Sequence, residues 1–404
     1  MANLSFWGLT ASPYQLKMQS LADYAGMPWQ RWPDQAGMLQ AITAFRRLSR
    51  ARKQQSVERF PQLIPELDEY PEVPYYTFDG RQFYYDSTGL ALHLDSLHAS
   101  SRPLVPEKPA ERFICCLIDE AFDEFGLYMV HHNRWVTSAS TNTMGEMTVR
   151  EMRKVIPPLF RQRNVRKLSE RQVRRCPYLF SVAPTGYSCD MPEALTPPSR
   201  EGFPPTHELL DTAWRRYLAA IEAVLPQQPF LLGQRFTLAD ASAYGQLSMN
   251  LVDGRAAELL EELAPLTFQW LCMIRDGGHK GSSGELFLSA HLGPLLDIIG
   301  ETFVPLMQQN EAAYSKAVAE GQVLFNEAAF NRGEALYEGS LLGMPFRAVV
   351  KSFQVQVWRD LCRSWRALGD DDRVQLQSLY PRLTDFHETS QRAPAERAPA
   401  NEHP

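Results

Sequence analysis

Val73-Pro74-Tyr75-Tyr76-Thr77-Phe78-Asp79-Gly80 leads through Arg81-Gln82-Phe83-Tyr84-Tyr85 to Asp86-Ser87-Thr88-Gly89-Leu90, and the reading of this stretch decides the fold. Pro74 precedes a run of aromatic and β-branched residues that suits a strand, and Asp79-Gly80 is a strong hairpin signal. Residues 81–85 then read as the returning strand. Asp86, Ser87 and Thr88 offer side-chain oxygens to the unpaired N–H groups that open a helix carrying Leu90, Leu92 and Leu94. Such a helix start attracts a carboxylate or another anion. Proline at the first position of a strand sits where its missing donor is not needed, and the sequence does not state whether the Val73-Pro74 bond is cis.

Toward the N-terminus, residues 4–9 read as a strand. Ser12-Pro13 opens a helix with Leu16, Met18, Leu21 and Ala22 along it, since Ser is a good cap and Pro is tolerated at the first helical position. Gly26 ends that helix, and residues 27–32 form a second strand, which makes a parallel β-α-β unit. The order β-α-β, connection, β-β-α is that of a thioredoxin-like α/β domain. Within the connection, Arg46, Arg47, Arg50, Arg52 and Lys53 read as the solvated face of a helix.

Val73-Pro74, the hairpin, and Asp86-Ser87-Thr88 before a leucine-rich helix resemble the glutathione-binding half of the glutathione transferases. In that family the proline is cis. The residue before it lends backbone hydrogen bonds to the cysteinyl part of glutathione, and an acidic residue and a serine hold the γ-glutamyl end. Carried over by position, these are Val73, Pro74, Asp86 and Ser87. Ser12-Pro13-Tyr14 is similar to the Ser-Pro-Phe of serine-type members, so the resemblance gives Ser12 the role of stabilising the glutathione thiolate, with Thr10 in reserve. A thiol of pKa ~8.5 falls to ~7 or below in such settings, and each unit is about 1.4 kcal/mol. Tyrosine- and cysteine-type chemistry is disfavoured, because Phe6 and Trp7 end the first strand and position 12 is not Cys. The alternative for Ser12 is a helix cap without chemistry.

With 404 residues, 44% of them hydrophobic and 22% charged, the chain is long enough for two or three domains with sizeable cores. A formal net charge of −6 argues against nucleic acid and anionic membranes as partners. No apolar run reaches the ~18 residues of a membrane span, and no basic region precedes an apolar one at the N-terminus, so the expected location is the cytoplasm. The six cysteines have no metal-ligand spacing, and no metal is expected.

Residues 100–109, rich in Pro and Ser, read as a linker between a thioredoxin-like domain (1–99) and an all-helical domain (110–291). Residues 111–135 read as one long helix, and the resemblance puts the electrophile pocket against Tyr14, Tyr128, His131 and Trp135. The histidines at 131 and 132 are adjacent and therefore do not share a helix face as a metal pair. Residues 139–205 form an insertion with a basic helix over 161–175 and a long loop from 187 to 205. Phe230-Leu231-Leu232-Gly233 followed by Thr237-Leu238-Ala239-Asp240 contains a capping box before a small, apolar helix, and is similar to the folding signature of the glutathione transferase helical domain. Residues 292–386 read as a helical extension, with Phe346, Val349, Val350, Phe353 and Val357 at helical spacing, and residues 387–404 as a disordered tail.

Taken together, the resemblance implies a glutathione transferase that reacts the glutathione thiolate with an electrophilic small molecule. A non-catalytic glutathione-fold protein whose extension binds a protein partner is the other reading. A homodimer is expected, because Leu90, Leu92, Leu94 and Leu97 offer more apolar surface than one helix needs for its own core.

Overall fold

The computed structural model describes residues 4–61, 74–97 and 102–383. Val73, the isomer of its bond to Pro74, and the tail at 387–404 lie outside the described residues.

The α/β half is built on β1 (Leu4–Trp7), buried along its whole length as a central strand should be. Helix α1 (Pro13–Tyr24) follows, with Ser12 as an extended N-cap residue and Pro13 at the first helical position. β2 (Trp29–Trp32) pairs in parallel with β1, from Leu4 opposite Trp29 to Trp7 opposite Trp32. Helix α2 (Met38–Lys53) buries Ala41, Ala44 and Leu48 and leaves its arginines exposed. β3 (Glu58–Arg59), β4 (Tyr75–Thr77), β5 (Tyr84–Tyr85) and α3 (Ser87–Leu97) complete the half, and the strand order is β2-β1-β4-β5-β3.

The sequence reading put a strand over 81–85, but only its end is one. The Asp79 carboxylate accepts the backbone N–H groups of Arg81 and Gln82 at 2.7 and 2.9 Å, so the chain stays in a turn until it can pair Tyr84 with Tyr76. Strand β3 was read only as part of a connection; it pairs in parallel with β5 and carries Arg59 to the start of α3. The leucines of α3 offer less surplus surface than their number suggests. Leu90 and Leu94 are buried in the chain's own core, while Leu97 is 51% exposed.

The helical half opens with α4 (Pro109–Ala121) and α5 (Leu127–His132). The single helix expected over 111–135 instead contains two π-helical segments, Phe122–Gly126 and Asn133–Thr137, in which the wider turn changes the direction of the side chains. The insertion contributes α6 (Met144–Glu151) and the basic α7 (Arg161–Arg174), of which only Val173 is buried. There follow α8 (His207–Val224), α9 (Leu238–Leu247), α10 (Gly254–Leu263), α11 (Pro265–Arg275), α12 (Gly293–Glu301) and α13 (Phe303–Ala319). Every residue of α9 is buried. The Asp240 carboxylate caps it by accepting the N–H and hydroxyl of Thr237, both at 2.8 Å, and reaches back to the N–H of Leu231 at 2.7 Å. Helix α9 lies against α1, and a Cβ at Gly245 would come within 2.8 Å of both the Lys17 side chain and the Pro13 carbonyl. Glycine is what lets the two halves approach there.

The extension is not wholly helical as expected. After α14 (Glu327–Arg332) comes a hairpin of β6 (Leu336–Leu341) and β7 (Met344–Val349), then α15 (Ser352–Ala367) and α16 (Asp370–Leu379). Phe346 and Val349 therefore belong to a strand, and Phe353 and Val357 to the helix after it. The turn between the strands is Leu342-Gly343, both at positive φ, 52° and 75°. A leucine at such a position is uncommon, so the usual Asn-Gly or Asp-Gly signal is missing. Trp365 of α15 packs edge-on against Phe113 of α4, at 5.0 Å between ring centroids, and joins the extension to the main core. Among the described residues no helix is long and apolar enough to cross a membrane.

Candidate active site

One cavity of about 660 Å³ opens between the two halves and the extension. Its near wall is Pro74, the start of α3 at Asp86, Ser87 and Thr88, and Tyr14 and Met18 of α1. Asp86 has φ 76°, the left-handed region that Asp tolerates better than most residues. In that conformation one carboxylate oxygen accepts the N–H of Gly89 at 2.5 Å and caps α3, while the other accepts Nε of Arg59 at 2.8 Å. The start of α3 passes so near the Phe60 carbonyl that a Cβ at Gly89 would lie 2.2 Å from it.

The side wall is acidic. Glu120, Asp123 and Glu124 follow one another at helical spacing and all line the cavity. Behind them the buried Lys17 ammonium donates to Asp119 at 2.6 Å, Asp123 at 2.7 Å and the Thr88 hydroxyl at 2.9 Å. Thr88 in turn donates to Asp119 at 2.8 Å, and Ser242 of α9 also donates to that carboxylate. Burial works against the Lys17 charge, but the two carboxylates outweigh it and raise its pKa. Burial pushes Asp123 up to about 7 even beside Lys17, and burial together with Asp119 and Asp123 raises Glu120 well above the usual carboxylate range. More carboxylates than cations meet here, which suits an incoming ammonium.

The far wall comes from the insertion and the extension. Arg175 and Tyr178 face residues 323–328 and 351–354 across the opening. Arg175 pairs with Glu327 at 3.0 Å, and the Arg59 guanidinium lies 5.4 Å from the centre of the Phe353 ring, so contacts bridge the rim. The loop from 187 to 205 does not line the cavity. Arg200 instead stacks over Phe330 at 3.7 Å and donates to its carbonyl at 2.5 Å, fixing the loop to the extension.

Of the residues singled out in the sequence, Tyr14, Pro74, Asp86 and Ser87 meet at this cavity. Tyr14 donates its hydroxyl to the Asp123 carbonyl at 2.9 Å, and burial raises its pKa well above the ordinary phenol value. Ser12 stands at the N-cap of α1 but is not on the cavity lining. Thr10 is engaged elsewhere: its N–H donates to Glu151 of α6 at 2.9 Å, and its hydroxyl donates to the same carboxylate. Tyr128, His131 and Trp135 also lie off the lining. Tyr128 stacks on Phe180 at 5.2 Å and accepts the Gln354 amide at 3.0 Å. Trp135 packs with Met144, Val173 and Cys176, inside the cover that the insertion provides. His131 is buried beneath the same cover, and burial, followed by Arg175 and Arg134, lowers its pKa to about 3. The acidic wall was missed in the sequence. Its signal was present as two acidic pairs, Asp119-Glu120 and Asp123-Glu124, on an otherwise apolar helix.

Residues 199–270 match the family model of the glutathione S-transferase C-terminal domain. No curated protein matches the chain. Among solved structures, the beta-etherase LigF from Sphingobium sp. strain SYK-6 is similar at 15% identity and a TM-score of 0.41, covering 70% of this chain and 100% of that one. The glutathione S-transferase CsGST63524 of Ceriporiopsis subvermispora, solved in complex with glutathione, is 15% identical at a TM-score of 0.40, over 68% of this chain and 97% of that one. A GST-like protein from Pseudomonas syringae is 15% identical at a TM-score of 0.37, over 75% of each chain. By the family-model match, residues 199–270 form a glutathione S-transferase C-terminal domain, which in this chain follows a thioredoxin-like sheet.

Proposed function

We propose that the cavity binds glutathione and that the chain reacts the glutathione thiolate with an electrophilic small molecule. The observation that carries this reading is the meeting of Pro74, Asp86 and Ser87 on one wall, beside an acidic wall suited to the γ-glutamyl ammonium. In the reaction the thiol gives its proton to solvent, the thiolate forms a carbon–sulfur bond, and the leaving group departs with the bonding pair. The N-terminus of α1 favours the anion, and the Ser12 hydroxyl, which stands there off the cavity lining and has no hydrogen-bond partner among the described residues, is the proposed donor once the thiolate reaches it. A protein-binding role for the extension is the weaker reading, because its residues 323–328 and 351–354 are used to wall the cavity.

Ser12→Ala should leave glutathione affinity within about twofold and lower turnover with a generic aryl halide by about tenfold or more, since the hydroxyl acts on the anion rather than on the bound thiol. Unchanged turnover in Ser12→Ala together with loss in Tyr14→Phe would transfer the role to Tyr14, which lines the cavity and would have to turn its hydroxyl from the Asp123 carbonyl.

Asp86→Asn is the appropriate test of the γ-glutamyl site. Alanine would also remove the α3 cap and tolerance of the left-handed backbone, whereas asparagine keeps both and gives up the charge and the acceptor for Arg59. The expected loss is about 1.5–3 kcal/mol of glutathione binding by calorimetry. Wild-type affinity in Asp86→Asn would leave its carboxylate as no more than the partner of Arg59.

A further inference from the structure

The start of α15 lines the cavity, and only part of its polar equipment has a partner among the described residues. Lys351, the residue before the helix, has extended backbone, and its N–H and carbonyl are both held by the buried Asn310 side chain of α13, at 2.9 Å each. That pair fixes where the helix begins, so the free N–H groups of its first turn are presented from a set position at Ser352, Phe353 and Gln354, all of which line the cavity. Ser352 is 6% exposed, and its hydroxyl has no hydrogen-bond partner among the described residues. The Lys351 ammonium likewise makes no ion pair among the described residues. It lies 4.8 and 4.9 Å from the ring centres of Tyr128 and Tyr178. The other cations of the wall differ in this respect, since Arg59 is matched by Asp86 and Arg175 by Glu327.

We propose that Lys351, Ser352 and the first turn of α15 form a carboxylate-binding site within the cavity. An ammonium, a hydroxyl and the N–H groups of a helix start stand on consecutive residues of one stretch of the cavity wall, a set of donors that suits an anion. The proposed reaction offers two carboxylates of the right kind. One is the glycyl end of glutathione; the other is an acidic group on an aromatic electrophile, whose ring would pack on Tyr178 and Phe353. Only the identity of the anion rests on the glutathione reading, because these donors line the cavity whatever the reaction is.

Calorimetry on the wild type, Lys351→Met, Lys351→Arg and Ser352→Ala, with two pairs of probes, tests the site. The first pair is glutathione and its glycyl ethyl ester; the second is dinitrobenzoate and dinitrobenzene. The wild type should bind at least one carboxylate about tenfold more tightly than its neutral counterpart. Lys351→Met should abolish that preference, Ser352→Ala reduce it, and Lys351→Arg keep most of it. Loss confined to the first pair assigns the site to glutathione, and loss confined to the second assigns it to an acidic electrophile. No preference in the wild type for either pair, or a preference that survives in both Lys351→Met and Ser352→Ala, overturns the site. Failure of glutathione to bind at millimolar concentration, with dinitrobenzoate still held through Lys351, defeats the proposed function and leaves the carboxylate site standing.

Discussion

Lys17→Met is expected to destabilise the protein by about 3–5 kcal/mol, because it leaves Asp119 and Asp123 buried without their shared cation. Lys17 joins α1 and α3 of the α/β half to α4 of the helical half, so the loss falls on the packing between them. The deficit should depend on pH. In the folded protein Asp123 holds its proton up to about 7, against the usual ~3.9 of an unfolded chain. The folded state therefore binds more protons between those values, and the contribution of this group is complete below about 3.9 and lost as pH rises through about 7. Without Lys17 the Asp123 carboxyl shifts further upward, so urea midpoints should differ more from wild type at pH 8 than at pH 5. An equal difference at both values, or one below ~1 kcal/mol, would show that the carboxylates relax to water instead of staying buried.

The second large effect is expected for Arg134→Ala. The Arg134 Nε reaches both carboxylate oxygens of Asp253, at 3.0 and 2.8 Å, and its Nη1 donates to the Ala11 carbonyl at 3.0 Å. The Asp253 side chain is wholly buried, so removing the guanidinium strands its charge and frees the backbone just before Ser12. The expected loss is again about 3–5 kcal/mol by thermal or urea unfolding. Arg134→Lys should recover little of it, since a lysine supplies a point charge in place of a planar fork that serves a carboxylate and a carbonyl together. Full recovery in Arg134→Lys would mean that the contact with Ala11 contributes nothing.

Both residues show which parts of the molecule could be read without coordinates. The β-α-β unit, the capped start of α3 and the Thr237–Asp240 cap were legible, because each is set by neighbours a few residues apart. The partners of Lys17 and Arg134 were not, because they lie roughly a hundred residues away, across packed surfaces that no local pattern encodes. The same holds for the electrophile pocket. Tyr128, His131 and Trp135 stand where the resemblance put them along the chain, but the insertion supplies Phe180 and Val173 to cover them. Position 10 offers another instance: a threonine that reads as a reserve nucleophile partner is held by Glu151, more than a hundred residues downstream.

The cavity also has a place in time. Its near wall is complete once the chain has been made as far as Thr88, whereas its far wall waits for Lys351 and Ser352. At roughly 5–20 residues per second, tens of seconds of synthesis separate the two. The entropy of closing so long a segment adds little at equilibrium, about 0.6 kcal/mol for each doubling of length, but contacts so far apart form slowly. Until the far wall arrives, the acidic wall at Glu120 and Asp123, once made, lacks the residues that face it, and an early-released chain lacking the extension would carry half of a binding site on a surface that solvent, a chaperone or a neighbouring chain can reach.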